Sequence, residues 1–87
     1  MSNIKDQMKL YYDKGMAQNA AAVAPSNTDS FAPSALYIGA GGTVIVDTLG
    51  GQTGVTLVGC QTGSVYNLLA TKVLETGTTA TGIVRLY

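Results

Sequence analysis

The stretch Ala35-Leu-Tyr-Ile-Gly-Ala-Gly-Gly-Thr-Val-Ile-Val-Asp-Thr-Leu-Gly-Gly-Gln-Thr-Gly54 decides the fold class. Short β-branched and aromatic runs are cut by glycine clusters at intervals of about ten residues, which is how strands joined by tight turns are written. The pattern continues to Gly82-Ile-Val-Arg-Leu-Tyr87 and predicts strands over 35–38, 43–48, 55–58, 64–76 (with a break near Asn67) and 82–87. Turns are expected at 39–42, 50–54, 59–63 and 77–81, where glycine supplies the positive φ that other residues resist. The connections leave no room for crossover helices, so parallel βαβ units are excluded. The expectation is a mainly β chain: a small antiparallel β-sandwich or barrel.

Alternation of side chains along a strand puts Leu36 and Ile38 on one face, with Val44 and Val46, and Val55 and Leu57, on matching faces. Val44, Val46, Val55, Leu57, Val84 and Leu86 are the candidates for core and subunit contacts. Two runs, Val44-Ile45-Val46 and Val65-Tyr66 with Leu68-Leu69, are apolar on both faces. Strands of that kind are buried on both sides, and in a module this small that points to other subunits.

The first 33 residues differ in kind and read as an N-terminal arm, a short helix plus a proline-containing linker, ahead of a β assembly domain over 34–87. Ile4, Met8, Tyr11, Tyr12 and Met16 recur at three- and four-residue steps, and Lys5, Asp6, Lys9, Asp13 and Lys14 fill the other side. The spacing predicts a helix over 3–14, with Ile4, Met8, Tyr11 and Tyr12 as its docking stripe. So short a helix is marginal alone and needs a surface to pack on, either its own β domain or a neighbour. Residues 20–24 can prolong the helix as far as Pro25, which biases Ala24 away from the helical region. Residues 19–33 otherwise show no regular period and read as a linker, with Phe31 as its anchor on the β domain.

Composition narrows the function. Charged residues are 11% of the 87-residue chain and the formal net charge is zero, against about 25% charged in ordinary domains. A surface so poor in charge favours association. A module of this size has a thin core and needs a staple. One cysteine, Cys60, allows no internal disulfide, and a chain without histidine offers no ordinary zinc site. Oligomerisation is the remaining source of stability.

Chemistry finds few parts. Without histidine no Ser-His-Asp or Cys-His arrangement can form within the chain. Cys60, in Gly-Cys-Gln-Thr-Gly, reads as a small buried hydrophobe, and Asp47 and Glu75 as strand-end carboxylates. The glycine clusters lack the lysine and spacing of a phosphate loop. Three of the five basic residues lie in the first 14 positions beside two aspartates, which is no nucleic-acid surface. No run approaches the roughly 20 apolar residues of a membrane span, and Asp6 and Asp13 interrupt any signal-peptide reading of the N-terminus. No catalytic residue, cofactor, metal, nucleic acid or membrane partner is expected. Tyr37 and Tyr66 lack neighbouring basic residues and suit an interface or core.

The β block also resembles a known family. The segment SALYIGAGGTVIVDTLGG (Ser34–Gly51), a later V-x-x-x-x-G-S/T-V step and the ending TGTTATGIVRLY (Thr76–Tyr87) are similar to spike base proteins of tailed-phage and gene-transfer-agent heads. The resemblance covers 34–87 and implies a non-enzymatic, capsid-decorating subunit made in the host cytoplasm and carried on the virion surface. It implies the major capsid protein as a partner, further copies of itself as a pentamer or trimer, and a head fibre carried on top. A trimeric capsid cement protein and a carbohydrate- or host-surface-binding β module are the alternatives.

Overall fold

A computed structural model describes residues 17–87. The helix expected over 3–14, with Ile4, Met8, Tyr11 and Tyr12, lies outside the described residues. Within them the chain is antiparallel β throughout: β1 (Ala20–Ala22), β2 (Ser34–Ala40), β3 (Gly42–Thr48), β4 (Val55–Cys60), β5 (Ser64–Val73) and β6 (Thr81–Leu86). They form one six-stranded sheet in the order β1-β6-β2-β5-β3-β4, open at β1 and β4.

The sheet divides at β5. Its first part pairs with β2 (Leu36 opposite Tyr66, Ile38 opposite Ser64), and its second part pairs with β3 (Val46 opposite Val73, Asp47 opposite Lys72). Ala70 faces both Ser34 and Thr48, and between Ser34 and Leu36 the register shifts, so Asn67, Leu68 and Leu69 bulge opposite Ala35. A bulge bends its strand, and strands that pass from one layer to another are how sheet corners are made. The break expected near Asn67 is therefore a bend, and the strand continues through it.

Two leaves result. Leaf one is β1, β6, β2 and the start of β5; leaf two is the end of β5 with β3 and β4. Leu36, Ile38 and Ile83 from leaf one and Val44, Val46 and Val73 from leaf two belong to one core cluster, each at most 2% exposed. No helix covers either face among the described residues, so each leaf is the cover of the other. Cys60 completes the cluster, its thiol donating to the Leu57 carbonyl at 3.5 Å, as a small buried hydrophobe should.

The glycines at the first corner act differently from the expectation. β2 and β3 are separated by Gly41 alone, yet they do not pair; each joins a different leaf. Positive φ occurs at Gly51, Gly54, Gly59, Gly63, Gly77 and Gly82, and not at Gly39, Gly41 or Gly42. Those three are glycine for want of space. A Cβ on Gly39 would lie 2.5 Å from the Gly82 carbonyl oxygen, and one on Gly41 2.5 Å from that of Cys60.

The stretch read as a linker is also built into the fold. Where helix continuation was expected, Ala20–Ala22 is an edge strand paired with Val84–Leu86. The backbone amides of Gln18 and Asn19 both donate to the Tyr87 carbonyl (2.9 and 2.7 Å), and β6 holds this segment extended. Three alanines carry helix propensity and no opposing side-chain preference, so a free sheet edge outweighs a fraction of a kcal/mol per residue of helix preference, roughly the span of that scale. From there the chain crosses from leaf one to leaf two: Val23 N–H donates to Ile83, Ser26 to Val73 and Phe31 to Thr71. Val23 and Phe31 pack on the core along the way.

Candidate functional site

Most of the groups that chemistry could have used are occupied structurally. Asp47 accepts the Gly54 amide at 2.9 Å with one carboxylate oxygen and sits 3.7 Å from Lys72 Nζ with the other. Glu75 is exposed. Tyr66 leans on the core, and its hydroxyl accepts the Gln61 amide at 3.0 Å. Arg85 lies on the inner side of β6, opposite Leu36. Its guanidinium rests 4.0 Å from the Tyr87 ring centroid and 5.5 Å from that of Phe31, and donates to Ser34 Oγ at 3.4 Å. A cation within reach of both rings links the segment carrying Phe31 to the last strand. No group of three or more metal-ligating side chains occurs among the described residues, and no helix there is long and apolar enough to cross a membrane.

What remains is a surface. Directly opposed residues of antiparallel strands share a face. In leaf one the outward set is therefore Ala20 and Ala22 of β1, Leu86 and Val84 of β6, Ala35 and Tyr37 of β2, and Val65 of β5, from the pairs Ala20–Leu86, Ala22–Val84, Ala35–Leu86, Tyr37–Val84 and Tyr37–Val65. Every member is apolar or aromatic. Val65 is 49% exposed, and Tyr37, Val84 and Leu86 are half-buried by their neighbours. Arg85 is the one charged residue in these strand segments, and it points inward. At one margin the bulge exposes Leu68 and Leu69, with Leu49 tied to Leu69 by a 3.0 Å backbone hydrogen bond.

The outer side of leaf two is different. Asp47 and Lys72 pair there, and Thr56 opposes Ile45. Ile45 is covered from within: its amide donates to Thr78 Oγ1 at 3.0 Å, its carbonyl accepts from Leu74, and its Cδ1 fills the space a side chain on Gly77 would need. The apolar outer side of Val44-Ile45-Val46 is thus met by the chain's own turn. That of β5 is not.

The six sequence candidates divide between the two surfaces. Val44 and Val46 are in the core, and Val55 and Leu57 pack on it from β4. Val84 and Leu86 face outward, while Ile83 takes the inward place on β6. Tyr37 and Val65 were legible as outward members, since both lie in runs apolar at consecutive positions. Ala20 and Ala22 carried no such signal, because their strand was not foreseen.

The fold defines a small all-β module in which the outer side of leaf one is apolar and bare, while leaf two carries the Asp47–Lys72 pair and, on β4, an exposed Val58. No protein-family model matches the chain, and no curated protein does. Among solved structures it is similar to a chain described as the capsid of a native gene-transfer-agent (GTA) particle computed with C5 symmetry. The two share 30% sequence identity with a TM-score of 0.73, over 85% of this chain and 87% of that one. The chain belongs to the same family of phage and gene-transfer-agent head proteins.

Proposed function

We propose that the protein is a non-enzymatic virion subunit of the capsid-decorating, spike-base kind, which oligomerises on the phage head and carries a fibre. The observation that carries the virion role is the 30% identity to a GTA capsid chain across 85% of the sequence. The bare face of leaf one supports self-association, since contiguous apolar surface on a soluble chain marks an interaction site. C5 symmetry belongs to the particle in which the relative was solved; a ring of five at a capsid vertex is the arrangement we favour for this chain, ahead of a trimeric cement protein. Its partners in this reading are further copies of itself, the major capsid protein and a fibre.

The experiment is native mass spectrometry of the purified full chain, followed by co-sedimentation with capsids lacking it. A homo-oligomer that pellets with capsids is the expected outcome, five copies favouring the vertex ring and three the cement reading. A chain that stays monomeric at every concentration and never pellets with capsids refutes the proposal.

A further inference from the structure

We propose that the apolar outer face of leaf one is the receptor for residues 3–14 of a second copy, so that the subunits are joined by exchanged N-terminal segments. The inference rests on the homo-oligomeric reading above and adds the contact that makes it.

Size argues first. The face is four strands wide, three spacings of about 4.8 Å or roughly 14 Å, and the paired lengths of β6 and β2 are similar. Two such faces pressed together would bury far less than the roughly 800 Å² per partner of a standard interface. Such a pairing is also self-complementary, and closes as a twofold dimer; a ring of odd number needs two different surfaces, one on each side of every contact. The chain has a second apolar surface to offer. Ile4, Met8, Tyr11 and Tyr12 fall on one stripe, and a helix over those twelve positions is about 18 Å long, enough to cross the four strands.

The place where this segment leaves the sheet fits the same scheme. Gln18 and Asn19 are bonded to Tyr87 at the open edge of leaf one, so the preceding residues emerge beside a free strand edge, where a neighbour would lie. Charge agrees too. Half of the chain's ten charged residues are in 1–14 opposite the stripe, while the outward set on leaf one has none. Tyr37, Val65, Val84 and Leu86 would then meet the apolar stripe, and the five charges would face water.

The test is cross-linking of the full-length double variant Met8→Cys with Val65→Cys under mild oxidation. Val65 is half-exposed, so the substitution leaves the core untouched, and the wild-type chain, with only the buried Cys60, is the control. Disulfide-linked multimers up to the native ring size are expected on denaturing gels, and none from either single variant beyond a dimer. A link formed within one chain, or no link in a sample that is still oligomeric, overturns this inference and leaves the functional reading standing. A monomeric wild-type sample instead removes that reading as well. As a second readout, Met8→Asp should weaken assembly by roughly a hundredfold, about 2.8 kcal/mol at 1.4 per decade, while preserving the β circular dichroism spectrum. Unchanged assembly in that variant also counts against the exchange.

Discussion

Val46 and Val65 offer the sharpest test of which surface is core and which is contact. Both are valines in strands, and residue type alone cannot separate them. Val46 is fully buried on the inner side of β3, opposite Val55 and Val73; Val65 stands outward on β5 beside Tyr37, half-exposed. Val46→Ala removes two methyl-sized groups from the core, a transfer loss of about 1.6 kcal/mol at ~0.8 each. The cavity left between the leaves raises the cost to roughly 2–3 kcal/mol. At about 4–8 °C per kcal/mol for a domain of this size, the melting temperature should fall by roughly 10–20 °C. Val65→Ala loses about half of that transfer term and leaves no cavity, so about 0.8 kcal/mol is expected in the isolated subunit. Its effect should appear through association instead. If outward residues mediate assembly, the wild-type melting temperature climbs with protein concentration. Val65→Ala then flattens that climb, and Val46→Ala lowers the curve without changing its slope. Differential scanning calorimetry across a hundredfold concentration range reads both. Equal shifts for the two variants, or a concentration dependence that Val65→Ala leaves intact, would refute the division into inner and outer faces.

Two further predictions concern backbone. Gly39→Ala puts a Cβ against the Gly82 carbonyl across the β2–β6 pair, where nothing but backbone can yield, and overpacking of this kind costs about 1–3 kcal/mol or more. Soluble yield and melting temperature should both drop, and an unchanged melt would show that the two strands lie further apart. Asn27→Ala removes the side chain that accepts the Glu75 and Thr76 amides (3.0 and 3.1 Å) and donates to Thr76 Oγ1. About 1 kcal/mol is expected for such exposed bonds, with faster hydrogen exchange at those two amides and little change at Val46; protection unaltered at 75 and 76 would argue against the clasp.

Much of the fold was legible because its signals are local. Leu36 and Ile38, and Val44 and Val46, alternate with the pleat, and all four are buried in the core. Cys60 had no plausible chemical partner in sequence and is buried. Where sequence reading went astray, the deciding contacts were distant. Gly39, Gly41 and Gly42 look like any glycine turn; their constraint is the Cβ space taken by Gly82, Cys60 and Thr79, 19 to 43 positions away. Residues 20–22 are strand only because β6, more than 60 positions later, leaves an edge open beside them. Phe31 was expected to anchor its segment, and it does, though the cation stacked on it comes from Arg85.

The amino-acid sequence by itself determined the class of fold and the absence of histidine chemistry: short β-branched runs and glycine turns admit antiparallel strands and little else, and a missing residue type needs no structure to be missed. Only the tertiary structure decided which apolar residues remain uncovered. A strand apolar on both sides has two faces to bury, and sequence cannot tell whether the second is met by the chain's own turn, as at Ile45, or left bare, as at Val65. That depends on where β5 bends and what folds back over each leaf, a long-range outcome that no local pattern encodes.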